Sequence, residues 1–249
     1  VKEHLVVVEY RLQRLASNDG EHIVGADAPL AVAEGGHYGP GVYAHVVVAK
    51  CDDSLPLYRL ERALAREGFS IARSTLCGLF HRAAELVAPI ADRLLELACV
   101  DPYLSADETR MPVQQEGGCR DAWVWTFLTD RIVAYVFTEL LKGKLPENLL
   151  GGTSGVLQID GAAIYDSSCT DSGRTRAGCW AHCRRMFFRA AQSEPDLARE
   201  AMDLIVGMYR VEYEAAEQDV LGTDAHLALR QSKTLKLVAD FFALVEREK

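Results

Sequence analysis

The stretch AWVWTFLTDRIVAYVF at residues 122–137 decides the fold class, because its pattern indicates two strands joined by a turn. Aromatic side chains occupy every second position from Trp123 to Phe127, and a second β-rich run covers 132–137. Alternation with a period of two is typical of a half-buried strand, and a short polar break is typical of a hairpin. With a further β-rich run at 103–107, the stretch predicts a three-stranded meander.

The elements after this meander predict the rest of the sheet. A helical pattern at 140–150 ends at a glycine pair, and a buried strand at 156–159 places Asp160 at its tip. Three strands, a helix and a fourth strand are the order of a ribonuclease-H-like sheet, which would bring Asp107 of the first strand beside Asp160. We therefore expect an α/β fold in which a ribonuclease-H-like mixed sheet is flanked by helices.

The N-terminal part is expected to be smaller, β-rich and helical. Four regions are predicted along the chain: a β-rich region at 1–50, a helical region at 51–99, the ribonuclease-H-like core at 100–193 and a helical region at 194–249. In the first of them, strands are predicted at 5–11 and 43–48.

The second region contains two predicted helices around Gly68, which resemble a helix-turn-helix, and Pro89 is expected to interrupt the second helix. Between Leu57 and Leu97, six arginines face five acids, so the segment is close to neutral. A plain helical packing unit is therefore an open alternative to a DNA reader.

Composition limits the classes of function. The net charge of −9 and the pI near 5.3 argue against a protein that coats nucleic acid, so any DNA contact must come from a local patch. Seven cysteines without a framework spacing and no secretory segment predict a reducing, cytoplasmic environment. The apolar run at 5–8 is too short to span a membrane, and no membrane partner is expected.

Asp107 and Asp160 are the candidate catalytic residues and metal ligands. Phosphoryl transfer on DNA needs hard oxygen ligands for Mg²⁺ or Mn²⁺, and carboxylates at adjacent strand ends supply them. On spacing alone, an Asp that follows a strand is more often a turn or cap residue. The motifs around the two residues decide between these interpretations.

Three motifs occur in order: SADETRMPV at 105–113, QIDGAAIYD at 158–166 and CWAHCRRMFF at 179–188. They resemble the motifs of the insertion sequence 66 transposases, which are close to A-D-D/E-T-P-V, Q-x-D-G-Y-x-x-Y-D and C-W-A-H-x-R-R-K-F-F. YGPG at 38–41, HVVVAK at 45–50 and LPLYR at 55–59 also resemble that family. The resemblance thus spans nearly the whole chain.

The resemblance implies a DNA transposase in which Asp107 and Asp160 are the first two members of an Asp-Asp-Glu triad. The implied reaction, with Mg²⁺ or Mn²⁺, is cleavage of a DNA strand at the element end, followed by attack of the freed 3′-hydroxyl on target DNA. The implied partners are the element ends and target DNA, and self-association is left open.

A basic helix is expected to contact DNA. Arg184, Arg185 and Arg189 lie in a stretch without acids between Ala177 and Ala190, which suits phosphate binding. His182 is grouped with this DNA-binding helix, where it is expected to orient the helix rather than to do chemistry.

The chain departs from the family pattern at the third carboxylate. A stretch like D-N-N-x-A-E-R carries the family's glutamate, and no such stretch occurs in this sequence. Asp240 and Glu246 are expected to belong to a solvated helix face rather than to replace it. We therefore expect the chain as it stands to be catalytically incomplete. The open alternatives are an active transposase, a non-catalytic remnant that binds DNA or itself, and a ribonuclease-H-like nuclease that uses its own carboxylates.

The cysteines depart from the family pattern as well. Where relatives carry zinc-ribbon cysteine pairs, this chain reads LASNDG at 15–20. Cys179, His182 and Cys183 share a helix face and are interpreted as a packed surface, so no zinc is expected. Met186 stands where the family usually has lysine, which removes one charge from the basic helix.

Overall fold

The computed structural model describes residues 5–19, 21–27, 29, 31–32, 36–139, 144–170 and 173–248. The chain divides into two compact units, residues 1–92 and 93–249. The sequence predicted different boundaries, after residues 50, 99 and 193. Within the described ranges, no helix is both long enough and apolar enough to cross a membrane.

The first unit begins with a two-stranded antiparallel sheet of β1 (Arg14–Ala16) and β2 (Ile23–Gly25). The strand expected at 5–11 is wrong, because these residues form no strand pairing within the described part of the chain. The three valines that follow Leu5 are between 59% and 89% exposed, so the run does not bury an apolar face as a sheet strand would.

The helix α1 (Pro40–Cys51) replaces the second expected strand, at 43–48. Pro40 takes the first helical position, where its missing N–H is not needed. Tyr43, Val46 and Ala49 are buried at three-residue spacing, which follows the period of a helix. The valine run at 46–48 suggested a strand, but burial of one helical face outweighs that local preference.

One further helix and most of the next one complete the first unit, which ends at residue 92. The helix α2 (Leu57–Arg66) ends before Gly68, which has φ +91°, and α3 covers Arg73–Cys99. The helix pair around Gly68 is confirmed, whereas the predicted interruption at Pro89 is wrong. Pro89 lies on an exposed stretch of α3, where water can bind the backbone carbonyl that proline leaves unpaired. The core of this unit joins α1, α2 and α3 through Tyr43, Val46, Leu60, Leu64, Leu76 and Leu79.

The second unit contains a five-stranded mixed sheet in the order β5-β4-β3-β6-β7. The strands are β3 (Tyr103–Gln115), β4 (Gly118–Leu128), β5 (Val133–Thr138), β6 (Gly155–Ile159) and β7 (Arg174–Gly178). The first three are antiparallel neighbours, and β6 and β7 run parallel to β3.

This topology confirms the meander, the fourth strand and the ribonuclease-H-like mixed sheet flanked by helices. One strand, β7, was not predicted. The helix expected at 140–150 is observed as α4 (Leu145–Leu150), and residues 140–143 lie outside the described residues. A 3₁₀ turn at Ala163–Ser168 follows β6. One face of the sheet is buried through Leu104, Ala106, Trp125, Phe127, Leu157, Ile159 and Tyr165.

Helices after β7 form the rest of the second unit: α5 (Trp180–Ala190), α6 (Pro195–Glu217), α7 (Asp224–Leu229) and α8 (Leu235–Arg247), with a π-helical turn between α7 and α8. The helices α5, α6 and α8 share a second core that contains Ile205, Met208 and Phe241. Trp180 and Phe187 of α5 meet Phe241 edge to face, with ring centroids 5.1 and 5.6 Å apart. These contacts fix the face that α5 turns toward the other helices.

A buried arginine joins the end of α3 to the two parallel strands. Arg174 of β7 is only 1% exposed. Its guanidinium donates to the carbonyl oxygens of Cys99 (2.7 Å), Asp101 (3.0 Å) and Val156 (3.2 Å), and to Thr153 Oγ1 (2.8 Å). Burial lowers the pKa of Arg174, yet a guanidinium stays charged in proteins. One charged side chain therefore holds together the start of β6 and the segment that leads into β3.

Gly155 begins β6 where two backbone segments come close. A Cβ atom at this position would lie 2.3 Å from the carbonyl oxygen of Pro102, and the residue has φ +112°. Next to it, Val156 N–H donates to the same oxygen at 2.7 Å. Only glycine fits both the space and the conformation, and this close approach sets the register of β6 against β3.

Candidate metal and nucleic-acid site

Two carboxylates lie at the same level on neighbouring strands. The parallel register pairs Ser105 of β3 with Gln158 of β6. Asp107 and Asp160 are each two residues further along, so they lie side by side at the end of β6. Both residues are exposed, and a carboxylate oxygen of one is within 4.8 Å of a carboxylate oxygen of the other. The main-chain register sets this distance.

Short backbone contacts orient both carboxylates. Asp160 Oδ1 accepts a hydrogen bond from Ala162 N–H at 2.9 Å, across Gly161 at φ +103°. Asp107 Oδ1 accepts from the N–H of the following residue, Glu108, at 3.0 Å. In the described part of the chain, the second oxygen of each carboxylate has no hydrogen-bond donor. Each side chain is thus held by one oxygen and keeps the other for a ligand.

His182 is the third member of this cluster. The strand β7 runs parallel to β6 and pairs Gly178 with Ile159, so α5, which starts directly after β7, begins beside Asp160. One ring nitrogen of His182 lies within 4.8 Å of oxygens of both aspartates, and the residue is half-buried. The sequence grouped His182 with the DNA-binding helix and did not predict that it lies beside the carboxylates.

Glu108 and Tyr165 lie next to the cluster and were not singled out from the sequence. Tyr165 is fully buried, and its hydroxyl donates to Glu108 Oε2 at 2.8 Å. Burial raises the pKa of Glu108, the hydrogen bond from Tyr165 opposes that shift, and the charges of Asp160 and Asp107 add to it. Burial and the neighbouring Glu108 also raise the pKa of Tyr165. A buried tyrosine beside an acidic motif was the signal that could have pointed to this pair.

An open cavity of about 830 Å³ joins the carboxylates to the basic helix. Asp107, Asp160 and His182 line it, together with Arg185 and Arg189. The two arginines are four residues apart on α5, so they share one helix face. Both are exposed, and in the described ranges neither forms an ion pair. The cavity thus has acidic groups at the sheet edge and unpaired cations on the helix.

Three other candidate residues, Arg184, Asp240 and Glu246, are not among the described residues that line this cavity. Arg184 is exposed and lies near Tyr209 of α6. Asp240 pairs with Lys236 at 2.6 Å. Cys183 lines the cavity and also packs with the core of α5, α6 and α8, where burial raises the pKa of its thiol.

The ligand atoms at the sheet edge fit a divalent cation. Carboxylate oxygens are hard ligands of the kind that Mg²⁺ and Mn²⁺ bind, and an imidazole nitrogen is accepted by first-row transition ions. Oxygens and a nitrogen within 4.8 Å of one another are close enough to surround one ion. The ligand atoms are thus of a kind that Mg²⁺ and Mn²⁺ bind, and the expectation of these ions stays a prediction.

Comparison with known proteins adds the family. The profile described as "Transposase IS66 family" matches residues 35–249. The chain is similar to "Uncharacterized protein y4qI" of Sinorhizobium fredii, with 31% identity over 97% of this chain and 48% of that protein. It is also similar to "Uncharacterized protein y4jD" of the same organism, with 28% identity over 86% of this chain and 45% of that protein. The chain spans about half the length of these curated relatives.

Proposed function

The chain belongs to the IS66 transposase family, and we propose that it contributes the metal-binding part of a DNA strand-cleavage and strand-transfer site. The observation that supports this function best is the pair of carboxylates, Asp107 and Asp160, held within 4.8 Å. They lie beside a helix whose arginines at the cavity form no ion pair with any described residue. The DNA substrate, the cation and the reaction are proposals for the whole protein, because the chain spans about half of its relatives.

In this proposal Asp107 and Asp160 hold Mg²⁺ or Mn²⁺. With a divalent cation held there, the two residues would provide activation of the attacking oxygen and charge neutralisation at the scissile phosphate. Each gives one oxygen to a backbone N–H, which fixes its direction, and offers the other to the cation.

Arg185 and Arg189 are proposed to hold the DNA backbone over the carboxylates. They are exposed, unpaired within the described part of the chain and on the same cavity wall. Phosphate contacts by arginine release counterions, so each contact should add about one unit to the salt dependence of binding. This local patch explains how a protein with a net charge of −9 can bind DNA.

A second candidate function is a chain that binds the cation and DNA without cutting. The observation in its favour is that, among the described residues, only two carboxylates have oxygens within 4.8 Å of one another and of His182. Glu108 lies beside them but is hydrogen-bonded to Tyr165, whereas the family resemblance implies a third carboxylate in the triad. We propose that the 249-residue chain by itself belongs to this second class. A strand-cleavage assay on element-end DNA with Mn²⁺ tests this point, since cleavage that Asp107→Ala abolishes would overturn it.

The proposed metal role is tested by calorimetric titration of Mn²⁺. Wild type should bind one ion, and Asp160→Asn should weaken binding by more than about tenfold. Even the loss of a residue that only hydrogen-bonds to a metal ligand lowers metal affinity by at least about tenfold. Asp130→Asn is the matched control, since Asp130 is exposed in the turn after β4 and is not among the described residues that line the cavity. Equal affinity for wild type and Asp160→Asn would refute the site.

The proposed DNA role is tested by fluorescence anisotropy with a labelled duplex at several salt concentrations. Arg185→Ala and Arg189→Ala should each weaken binding and reduce the salt slope by about one unit. Arg131→Ala, an exposed arginine in the turn after β4, is the control. Salt slopes that are identical in all four proteins would exclude this helix as the DNA contact.

A further inference from the structure

We propose that His182 is a direct ligand of the cation held by Asp107 and Asp160, and that this ligand set makes the site prefer a first-row transition ion such as Mn²⁺ over Mg²⁺. The inference rests on the proposed function, because it concerns the same cation. It changes the part assigned to His182, which the sequence grouped with the DNA-contacting arginines.

The geometry places His182 at the cation rather than at the phosphate-binding face. One of its ring nitrogens is within 4.8 Å of an oxygen of Asp107 and an oxygen of Asp160, so the three atoms form a compact triangle. The three residues come from β3, from the end of β6 and from the first turn of α5. Three ligands from three separate elements converge on one point, which a packed helix surface does not require.

The ring of His182 is not engaged elsewhere in the described part of the chain. Its Nδ1 atom is buried and has no hydrogen-bond partner among the described residues. Buried polar atoms are normally paired, so an uncommitted imidazole beside two carboxylates is suited to a ligand. Its backbone is well held, because Cys183 N–H donates to the Cys179 carbonyl at 3.0 Å and Trp180 packs on Phe241. The ring can therefore bind an ion without reordering the start of α5.

The identity of the ligand atoms decides the preferred ion. Mg²⁺ favours oxygen ligands in a near-ideal octahedron and keeps several waters, so a nitrogen ligand contributes little to its binding. Ions of the first transition row accept imidazole nitrogen together with carboxylate oxygen. Loss of the ring should thus weaken Mn²⁺ binding more than Mg²⁺ binding. Arg185 and Arg189 would retain the phosphate contacts, since they lie further along the same helix.

Pulsed electron paramagnetic resonance of the Mn²⁺-loaded chain gives the most direct test. A nitrogen bound to Mn²⁺ produces ¹⁴N modulation, which we expect in wild type and in the control His81→Ala, where an exposed histidine of the first unit is removed. The modulation should disappear in His182→Ala. Absence of ¹⁴N modulation in wild type that binds Mn²⁺ would overturn the inference, even if His182→Ala did not fold.

Titrations with Mn²⁺ and with Mg²⁺ give the second test. His182→Ala should lower Mn²⁺ affinity by about tenfold or more and Mg²⁺ affinity by less than about threefold. Equal losses for the two ions would contradict the proposed selectivity. Asp160→Asn separates the two proposals: if it weakens Mn²⁺ binding while His182→Ala does not, the metal site stands and the ligand role of His182 fails. If neither variant changes binding, the proposed function fails as well.

Discussion

Replacement of Arg174 by methionine should destabilise the second unit strongly. The side chain is 1% exposed, and its guanidinium donates to three backbone carbonyls and one hydroxyl at 2.7 to 3.2 Å. Methionine has a similar length but no donor, so the change removes the charge and leaves one buried and three partly buried acceptors without this donor.

The magnitude follows from these four acceptors. A buried acceptor that loses its donor costs about 1 to 3 kcal/mol. We take the low end, about 1 kcal/mol for each, because the removed charge no longer has to be desolvated and the loop acceptors can partly rehydrate. The expected loss in the free energy of unfolding is therefore about 4 kcal/mol. Arg174→Lys should recover little of it, since a single ammonium group cannot reach all four acceptors.

Urea unfolding followed by tryptophan fluorescence is the suitable assay, because all three tryptophans, Trp123, Trp125 and Trp180, lie in the second unit. Arg176→Met on the same strand is the control. Arg176 is partly exposed and pairs with Asp166 at 2.8 Å, so its loss should cost no more than about 1 kcal/mol. If Arg174→Met cost no more than Arg176→Met, the guanidinium would not be what joins these strands.

Two further predictions concern the same unit. Gly155→Ala should cost at least about 2 kcal/mol of unfolding free energy, because its Cβ would lie 2.3 Å from the Pro102 carbonyl at a positive φ; an unchanged urea midpoint would contradict this. The hydrogen bond from Arg230 lowers the pKa of Glu212 below its ordinary value of 4.5, and the nearby His226 lowers it further by a smaller amount. The ionised Glu212 therefore stabilises the fold above pH 4.5, and this stabilisation is lost as the pH falls through the lowered pKa. At neutral pH the free energy of unfolding of wild type should exceed that of Glu212→Gln by about 1 kcal/mol. Urea unfolding in acid should show a smaller difference.

The sequence predicted the parts of the fold whose signals are local. The meander and β6 were found because alternating aromatic residues and a short apolar run mark strands directly. The approach of Asp107 to Asp160 followed from the order of these elements. The helix α1 was mistaken for a strand because its valine run has strong strand preference, and only packing in three dimensions showed its helical period.

The position of His182 could not be predicted for a related reason. The strand β7 reads RTRAG, and it contains no aromatic residue and only one β-branched residue, a threonine. It is a strand because β6 offers a parallel edge, which the local sequence does not reveal. Without β7, the start of α5 has no fixed place, and His182 could be assigned only to its helix. The hydrogen bond between Tyr165 and Glu108 was hidden in the same way, since the two residues are 57 positions apart.

The way in which the sheet fixes the two aspartates has an evolutionary consequence. Their separation depends on the register of β3 against β6, which rests on buried contacts such as those of Arg174 and Gly155. Surface arginines are under no such constraint and can drift without unfolding the protein. In copies of such a gene that are no longer under selection, the backbone frame that spaces positions 107 and 160 should thus persist for longer than the exposed side chains on it, which include the two aspartates and the arginines of α5. A decayed copy would then keep the frame of the proposed site after its ligands are lost, so an intact fold is no measure of an intact site.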